Sequence, residues 1–168
     1  MTNKKEIGLA VIGCGTIGRI RAIMAKDYPG INWIGLCDIN EELGKKLQID
    51  CEADFFTTDF NELLKRSEVN AVIIATDENH HYGPIMASLE RENSLFIEKP
   101  LATDLEESRD VLNKIKSTNV DAVLGYTQRF RRRFLAVKQK LIDNKIGHVT
   151  SVVTLSLIHI SEPTRPAI

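Results

Sequence analysis

The sequence predicts an α/β fold: a doubly wound parallel sheet, followed by the start of a second domain. Three observations predict it. Short apolar runs alternate with amphipathic stretches, the pattern that lays helices on both faces of a parallel sheet. The run Ala71–Ala75 (AVIIA) lacks polar alternation, as a strand buried on both faces requires. A glycine-rich turn, Gly13-Cys14-Gly15-Thr16-Ile17-Gly18, stands where the first apolar run gives way to the first helical stretch.

Taken in order, Ile7–Ile12 reads as a buried strand. Thr16–Lys26 reads as a helix with Ile17, Ile20, Ile23 and Met24 on one face. The Pro29-Gly30 turn sets off a second strand, Ile31–Cys37, in which Trp33 packs. Asn40–Gln48 is a helix and Phe55–Thr57 a weak third strand. Asp59 with Glu62 makes a capping box that starts a helix to Lys65. Ala71–Ala75 is the fourth strand, Tyr82–Arg91 a helix and Leu95–Glu98 the fifth strand. Thr103 with Glu106 predicts another capping box, opening a helix to about Lys116. Ala122–Tyr126 is the sixth strand. Beyond it the character shifts: Phe130–Asn144 reads as a longer helix and Val149–Val153 as a strand, which places a domain boundary near Thr127.

Composition excludes several classes. The 22 basic residues nearly cancel the 23 acidic ones, so no net field favours nucleic acid. The run Arg131-Arg132-Arg133 reads as a solvated helix face. Cys14, Cys37 and Cys51 form no CxxC pair and no zinc spacing, so no metal is expected. Three scattered thiols suit a reducing cytoplasm. No apolar run approaches a membrane span, and Ile7–Ile12 is too short for a signal-peptide core.

The glycine turn carries the first chemical signal. In GxGxxG between a strand and a helix, Gly13 permits the tight turn. Gly15 lets a pyrophosphate approach the backbone, and Gly18 lets the helix pack close to the strand. The helix start at Thr16 and Ile17 then offers N–H groups and the positive end of its dipole to phosphates. The bland alternative is a purely structural turn. Asp38 decides between them: it ends the second strand about twenty residues past Gly18, where a carboxylate accepts bonds from both adenosine ribose hydroxyls. Ile39 and Asn40 follow it, with no arginine to accommodate a 2′-phosphate, so NAD is the expected cofactor rather than NADP.

Glu98-Lys99-Pro100 closes the fifth strand. Ligands bind beyond the carboxyl ends of such strands. Lys99 is therefore either a partly buried hydrogen-bond donor to a substrate oxygen, acting in proton transfer, or a solvated lysine at a turn that Pro100 stiffens. On physics alone the two readings stand level.

From about Ile7 to Thr154 the chain resembles the glucose-fructose oxidoreductase, inositol dehydrogenase and rhizopine-catabolism (Gfo/Idh/MocA) family. The resemblance rests on the fingerprint with Asp38, on AVIIAT followed by His81, and on Glu98-Lys99-Pro100-Leu101-Ala102. It continues through Gly125-Tyr126, Arg129-Phe130 and Ile146-Gly147. It implies a Rossmann-type NAD-binding domain over residues 1–127 and the truncated start of an α+β substrate domain over 128–154. Lys99 would contact substrate near the nicotinamide and Glu98 would help fix the cofactor. Ala75, Thr76, His81 and Gln128 would join the cofactor-binding residues. The implied activity is hydride transfer between nicotinamide and a secondary alcohol of a sugar, cyclitol or polyol, in a homo-oligomeric parent enzyme. A nucleotide-sensing regulator and an NAD-using glycosidase are the alternatives.

Some residues depart from that pattern. The family often reads Thr-Pro-Asn where this chain has Thr76-Asp77-Glu78. His81 also suits a helix-start cap or a packing residue, and His80 reads as an exposed neighbour. Cys14 reads as a small packed residue, with a reactive thiol as the alternative. The last stretch, Leu155–Arg165, resembles an in-frame translation of a transposon-type sequencing adapter. Residues 155–168 are therefore expected to be a non-native tail, His159 is not expected to be a catalytic base, and the fragment is expected to be inactive.

Overall fold

The computed structural model describes residues 6–153; the tail expected to be foreign lies outside them. Six strands run in the order β3-β2-β1-β4-β5-β6, every neighbouring pair parallel. They are β1 (Ile7–Ile12), β2 (Ile31–Cys37), β3 (Phe55–Thr57), β4 (Ala71–Ile74), β5 (Ser94–Ile97) and β6 (Ala122–Leu124). Between them lie α1 (Thr16–Lys26), α2 (Glu41–Cys51), α3 (Phe60–Leu64), α4 (Tyr82–Leu89) and α5 (Leu105–Ser117). The chain divides into two compact units, the second beginning at Thr127. That second unit carries a 3-10 turn, Thr127–Phe130, and α6 (Arg132–Ile142).

Alternation along β1 shows why the central strands lack polar residues. Leu9 and Val11 join a cluster with Ala22 and Ala25 of α1, Leu36 of β2 and Leu47 of α2. Ala10 and Ile12 join the opposite cluster with Leu63 of α3, Ile85 and Leu89 of α4 and Val111 of α5. Successive side chains of a strand point to opposite faces, so a sheet covered on both sides needs apolar residues at every position.

The structure corrects several local expectations. The buried face of α1 is Gly18, Ala22 and Ala25, while Ile17, Ile20 and Met24 are exposed. Small residues win that face because the helix must lie close to the glycine turn. The cap of α5 is Asp104, one residue later than expected, and its carboxylate accepts from Glu106 N (2.8 Å) and Glu107 N (3.1 Å). At α3, Asp59 caps through Asn61 N, but Glu62 takes the Thr57 hydroxyl instead of completing a capping box. Asn40 is the cap of α2 rather than its first residue, and α6 is shorter than the predicted Phe130–Asn144. The strand expected at Val149–Val153 is not formed: a lone strand has no ladder partner for its backbone groups, and these residues are exposed. No helix among the described residues is long and apolar enough to cross a membrane.

Candidate functional site

Sheet register assembles the site. Ile12 pairs with Cys37 and with Ile74, Ile74 with Ile97, and Ile97 with Leu124. The next residue of each strand therefore leaves the sheet along one carboxyl edge: Gly13, Asp38, Ala75, Glu98 and Gly125. Gly13 N still donates to Cys37 O (2.8 Å), Ala75 N to Ile12 O (2.8 Å) and Glu98 N to Ile74 O (2.9 Å). Chain order reverses between β1 and β4, where open α/β sheets place their ligands.

The three glycines answer to different demands. Gly13 has φ +97°, and a Cβ there would lie 2.4 Å from Ala75 O. A Cβ on Gly18 would lie 1.8 Å from Gly13 O. The protein's own backbone requires both. Around Gly15 a Cβ would meet nothing within 4 Å. Gly15 is thus the position left open on the ligand side, at the start of a helix whose first turn has no acidic residue and no side-chain cap. Exposed Thr16 and Ile17 continue that start. Amides without capping side chains at a helix N-terminus suit a pyrophosphate, so the cradle fits a dinucleotide.

Asp38 does more than wait for a ribose. Its Oδ2 accepts from Cys14 N (2.6 Å) and its Oδ1 from Asn40 N (2.8 Å). The carboxylate ties the glycine turn to the start of α2. Each oxygen keeps a further acceptor position for a ribose hydroxyl. Ile39 beside it is 90% exposed, an apolar surface next to that position. Cys14 is fully buried, and its thiol donates to Cys37 O at 3.7 Å. Burial, and then the negative charge of Asp38, push the thiol up to about 12, which favours the packed reading over the reactive one.

The Glu98-Lys99-Pro100 corner is held from both flanks. Arg21 of α1 donates Nε (2.9 Å) and Nη2 (2.6 Å) to Glu98 Oε1. Its guanidinium also lies over the Phe96 ring, 4.8 Å from the centroid. On the other flank His81 is buried, with Nδ1 2.7 Å from Pro100 O and Nε2 3.3 Å from Thr76 O. Both partners are carbonyl acceptors, so a ring nitrogen bonds its carbonyl by donating its proton. His81 therefore faces two backbone carbonyls. It holds the loop after β4 and the corner, and it makes no side-chain cap. Buried Thr76 Oγ1 has no hydrogen-bond partner among the described residues. Lys99 is exposed on its own unit.

Gln128, the remaining expected contact, lies in the second unit within the 3-10 turn and is exposed. Arg21 is the functional candidate that sequence reasoning missed. Its signal was its spacing: three residues past Gly18, it shares the helix face that Gly18 turns toward the glycine turn.

Residues 7–126 match a family model described as an oxidoreductase family with an NAD-binding Rossmann fold (Gfo/Idh/MocA). The scyllo-inositol 2-dehydrogenase (NAD(+)) of Bacillus subtilis is 27% identical over 143 residues, which are 84% of this chain and 42% of that protein. The myo-inositol 2-dehydrogenase of Thermotoga maritima is 26% identical over 148 residues, 87% of this chain and 44% of that protein. A crystal structure of myo-inositol dehydrogenase from Lactobacillus casei with NAD(H) and myo-inositol superposes with TM-score 0.79 at 25% identity. It covers 85% of this chain and 43% of that one. The chain thus spans less than half the length of these relatives. A glycine turn closed on Ala75, an acid at the end of β2 and a match running the length of the sheet lead to one assignment: the chain belongs to the Gfo/Idh/MocA oxidoreductase family and carries its NAD-binding Rossmann fold.

Proposed function

We propose that the whole protein is an NAD-dependent dehydrogenase acting on a secondary alcohol of a cyclitol, sugar or related polyol. The observation that carries this reading is the shared carboxyl edge. The open Gly15 cradle, the anchored Asp38 and the exposed Lys99 all follow residues paired in one register row. NAD, when bound, supplies the hydride acceptor at its nicotinamide. This chain's residues do the rest. Gly13, Gly15, Gly18 and the start of α1 bind the pyrophosphate. Asp38 binds the ribose and opposes a 2′-phosphate. Ile39, Ala75, Thr76 and Glu98 border the cofactor. Lys99 donates a hydrogen bond to the substrate oxygen, and a separate base takes the hydroxyl proton as the hydride leaves and the carbonyl forms. The inositol dehydrogenases among the relatives support a cyclitol. The three free, buried cysteines support a reducing, cytoplasmic setting, and a homo-oligomeric whole enzyme belongs to the same reading.

The test is turnover by the full-length enzyme with NAD and a panel of inositols and sugars. Stoichiometric NADH formation is expected, with NAD preferred over NADP. Lys99→Ala should lower turnover by about 10²–10⁴ while leaving NAD affinity nearly unchanged. NAD binding without turnover of any polyol would point to a sensor instead. Glycoside cleavage without net NADH would point to an NAD-using glycosidase.

A further inference from the structure

We propose that Arg21 is a positioning residue for hydride transfer, acting through Glu98 to hold the Lys99 backbone in place. The inference rests on the reading of Lys99 as the hydrogen-bond donor to the substrate oxygen. Lys99 sits between two residues that are each tied down. Glu98 is fixed two ways: its N–H donates to Ile74 O at 2.9 Å, and its Oε1 receives both Arg21 donors. Pro100 is fixed by His81 Nδ1 on its carbonyl. The lysine stem therefore swings from an anchored Cα.

Arg21 is itself placed rather than loose. Its side chain is 24% exposed and that of Glu98 12%, and Phe96 supports the guanidinium from one face. Two donors on one oxygen fix the direction of the carboxylate, which a lysine's single ammonium cannot do as well. Arg21 also stands on α1, the helix whose N-terminus forms the phosphate cradle. One rigid helix thus sets both the cradle and the corner. Hydride transfer is sensitive to such placement, since an error of about 1 Å costs about 100-fold in rate.

A plain tie between α1 and the sheet would behave differently from a positioning residue, and a double-mutant cycle separates them. In the full-length enzyme, Arg21→Met, Lys99→Ala and the double variant are compared for kcat, KM, NAD affinity by fluorescence titration, and thermal midpoint. Arg21→Met is expected to lower kcat by about 10- to 100-fold. NAD affinity should stay within about threefold, and the thermal midpoint should fall, because the largely buried Glu98 carboxylate is left without its partner. In the Lys99→Ala background the same substitution should lower kcat no further, because the group it positions is gone. Arg21→Lys keeps the charge without the fork and should fall between; it carries the test if Arg21→Met does not fold. An unchanged kcat, an equal loss in both backgrounds, or a loss confined to NAD affinity overturns the positioning role. Normal turnover in Lys99→Ala instead overturns the reading of Lys99 beneath it.

Discussion

Helix α5 and helix α6 are both amphipathic and of similar length, yet they fare differently. α5 buries Val111 completely and brings Ile115 against the cluster beneath the sheet. In α6 no residue is buried, and every described residue from Thr127 to Val153 is exposed, Phe134, Leu135 and Leu141 among them. The difference lies in what each unit offers its helix. The first unit has a six-stranded sheet with an apolar lattice on each face. Among its described residues the second has a 3-10 turn and one α-helix, with no strand. A short helix in water draws most of its stability from a packed face, not from propensity. An apolar stripe in the sequence therefore announces a helix without saying what covers it.

That contrast can be broken or sharpened by experiment, beginning with the largest effect. The 168-residue chain should show no dehydrogenase turnover with NAD and any inositol, because hydride transfer needs a substrate held against the nicotinamide. NAD should still bind, and a chain ending at Tyr126 should bind it within about threefold as tightly in a fluorescence titration. NADH formation by the 168-residue chain would break the contrast. A large loss of affinity on removing residues 127–168 would give Gln128 a binding role.

Next, Gly15→Val should weaken NAD binding by more than about 100-fold with little change in thermal midpoint, since its side chain meets only open space in the protein. Gly18→Val should lower the midpoint as well, because any Cβ there strikes Gly13 O. Equal melting behaviour of the two would show that the glycine turn yields more readily than its geometry implies.

Core truncation compares the units directly. Leu36→Ala removes a fully buried side chain and should cost about 2–5 kcal/mol in denaturant unfolding. Leu141→Ala in α6 should stay within about 0.5 kcal/mol. A comparable cost at both sites would mean that Leu141 has a packing partner.

The smallest effect concerns the thiols of the first unit. Burial, the larger cause, and the charge of Asp38 raise Cys14 and Cys37 from 9.0 to about 12. Both remain protonated in the folded state where an unfolded thiol has ionised. The stability linked to those protons is fully present below pH 9 and falls as pH rises from 9 toward 12. Folded protein should resist thiol alkylation at neutral pH, and Cys14→Ala should flatten part of the alkaline loss of stability. Rapid labelling of Cys14 in the folded chain would contradict its burial.

Much of the first unit was legible because its signals are local and repeated. β1 and β2 end where their apolar runs end, and a fingerprint with Asp38 at the right interval marks the nucleotide cradle. Reading faltered where two local signals competed. Thr103 and Asp104 both suit a cap, and Asp104 takes the position, accepting from Glu106 N and Glu107 N. The Ile17, Ile20 and Met24 stripe outranks the small residues of α1 on any hydrophobic scale, yet the small face is the one that packs. His81 carried two readings, and its ring faces protein carbonyls.

By itself, then, the sequence determined the doubly wound sheet, the glycine cradle and the acid beside it, because hydrophobic period and turn chemistry act over a few residues. Only the tertiary structure decided that Arg21 meets Glu98, 77 positions away, that Asp38 braces the turn through Cys14 N, and that Lys99 stands exposed between two clamped neighbours. Those facts depend on sheet register, which brings the ends of separate strands to one edge. No local pattern encodes which residues meet there.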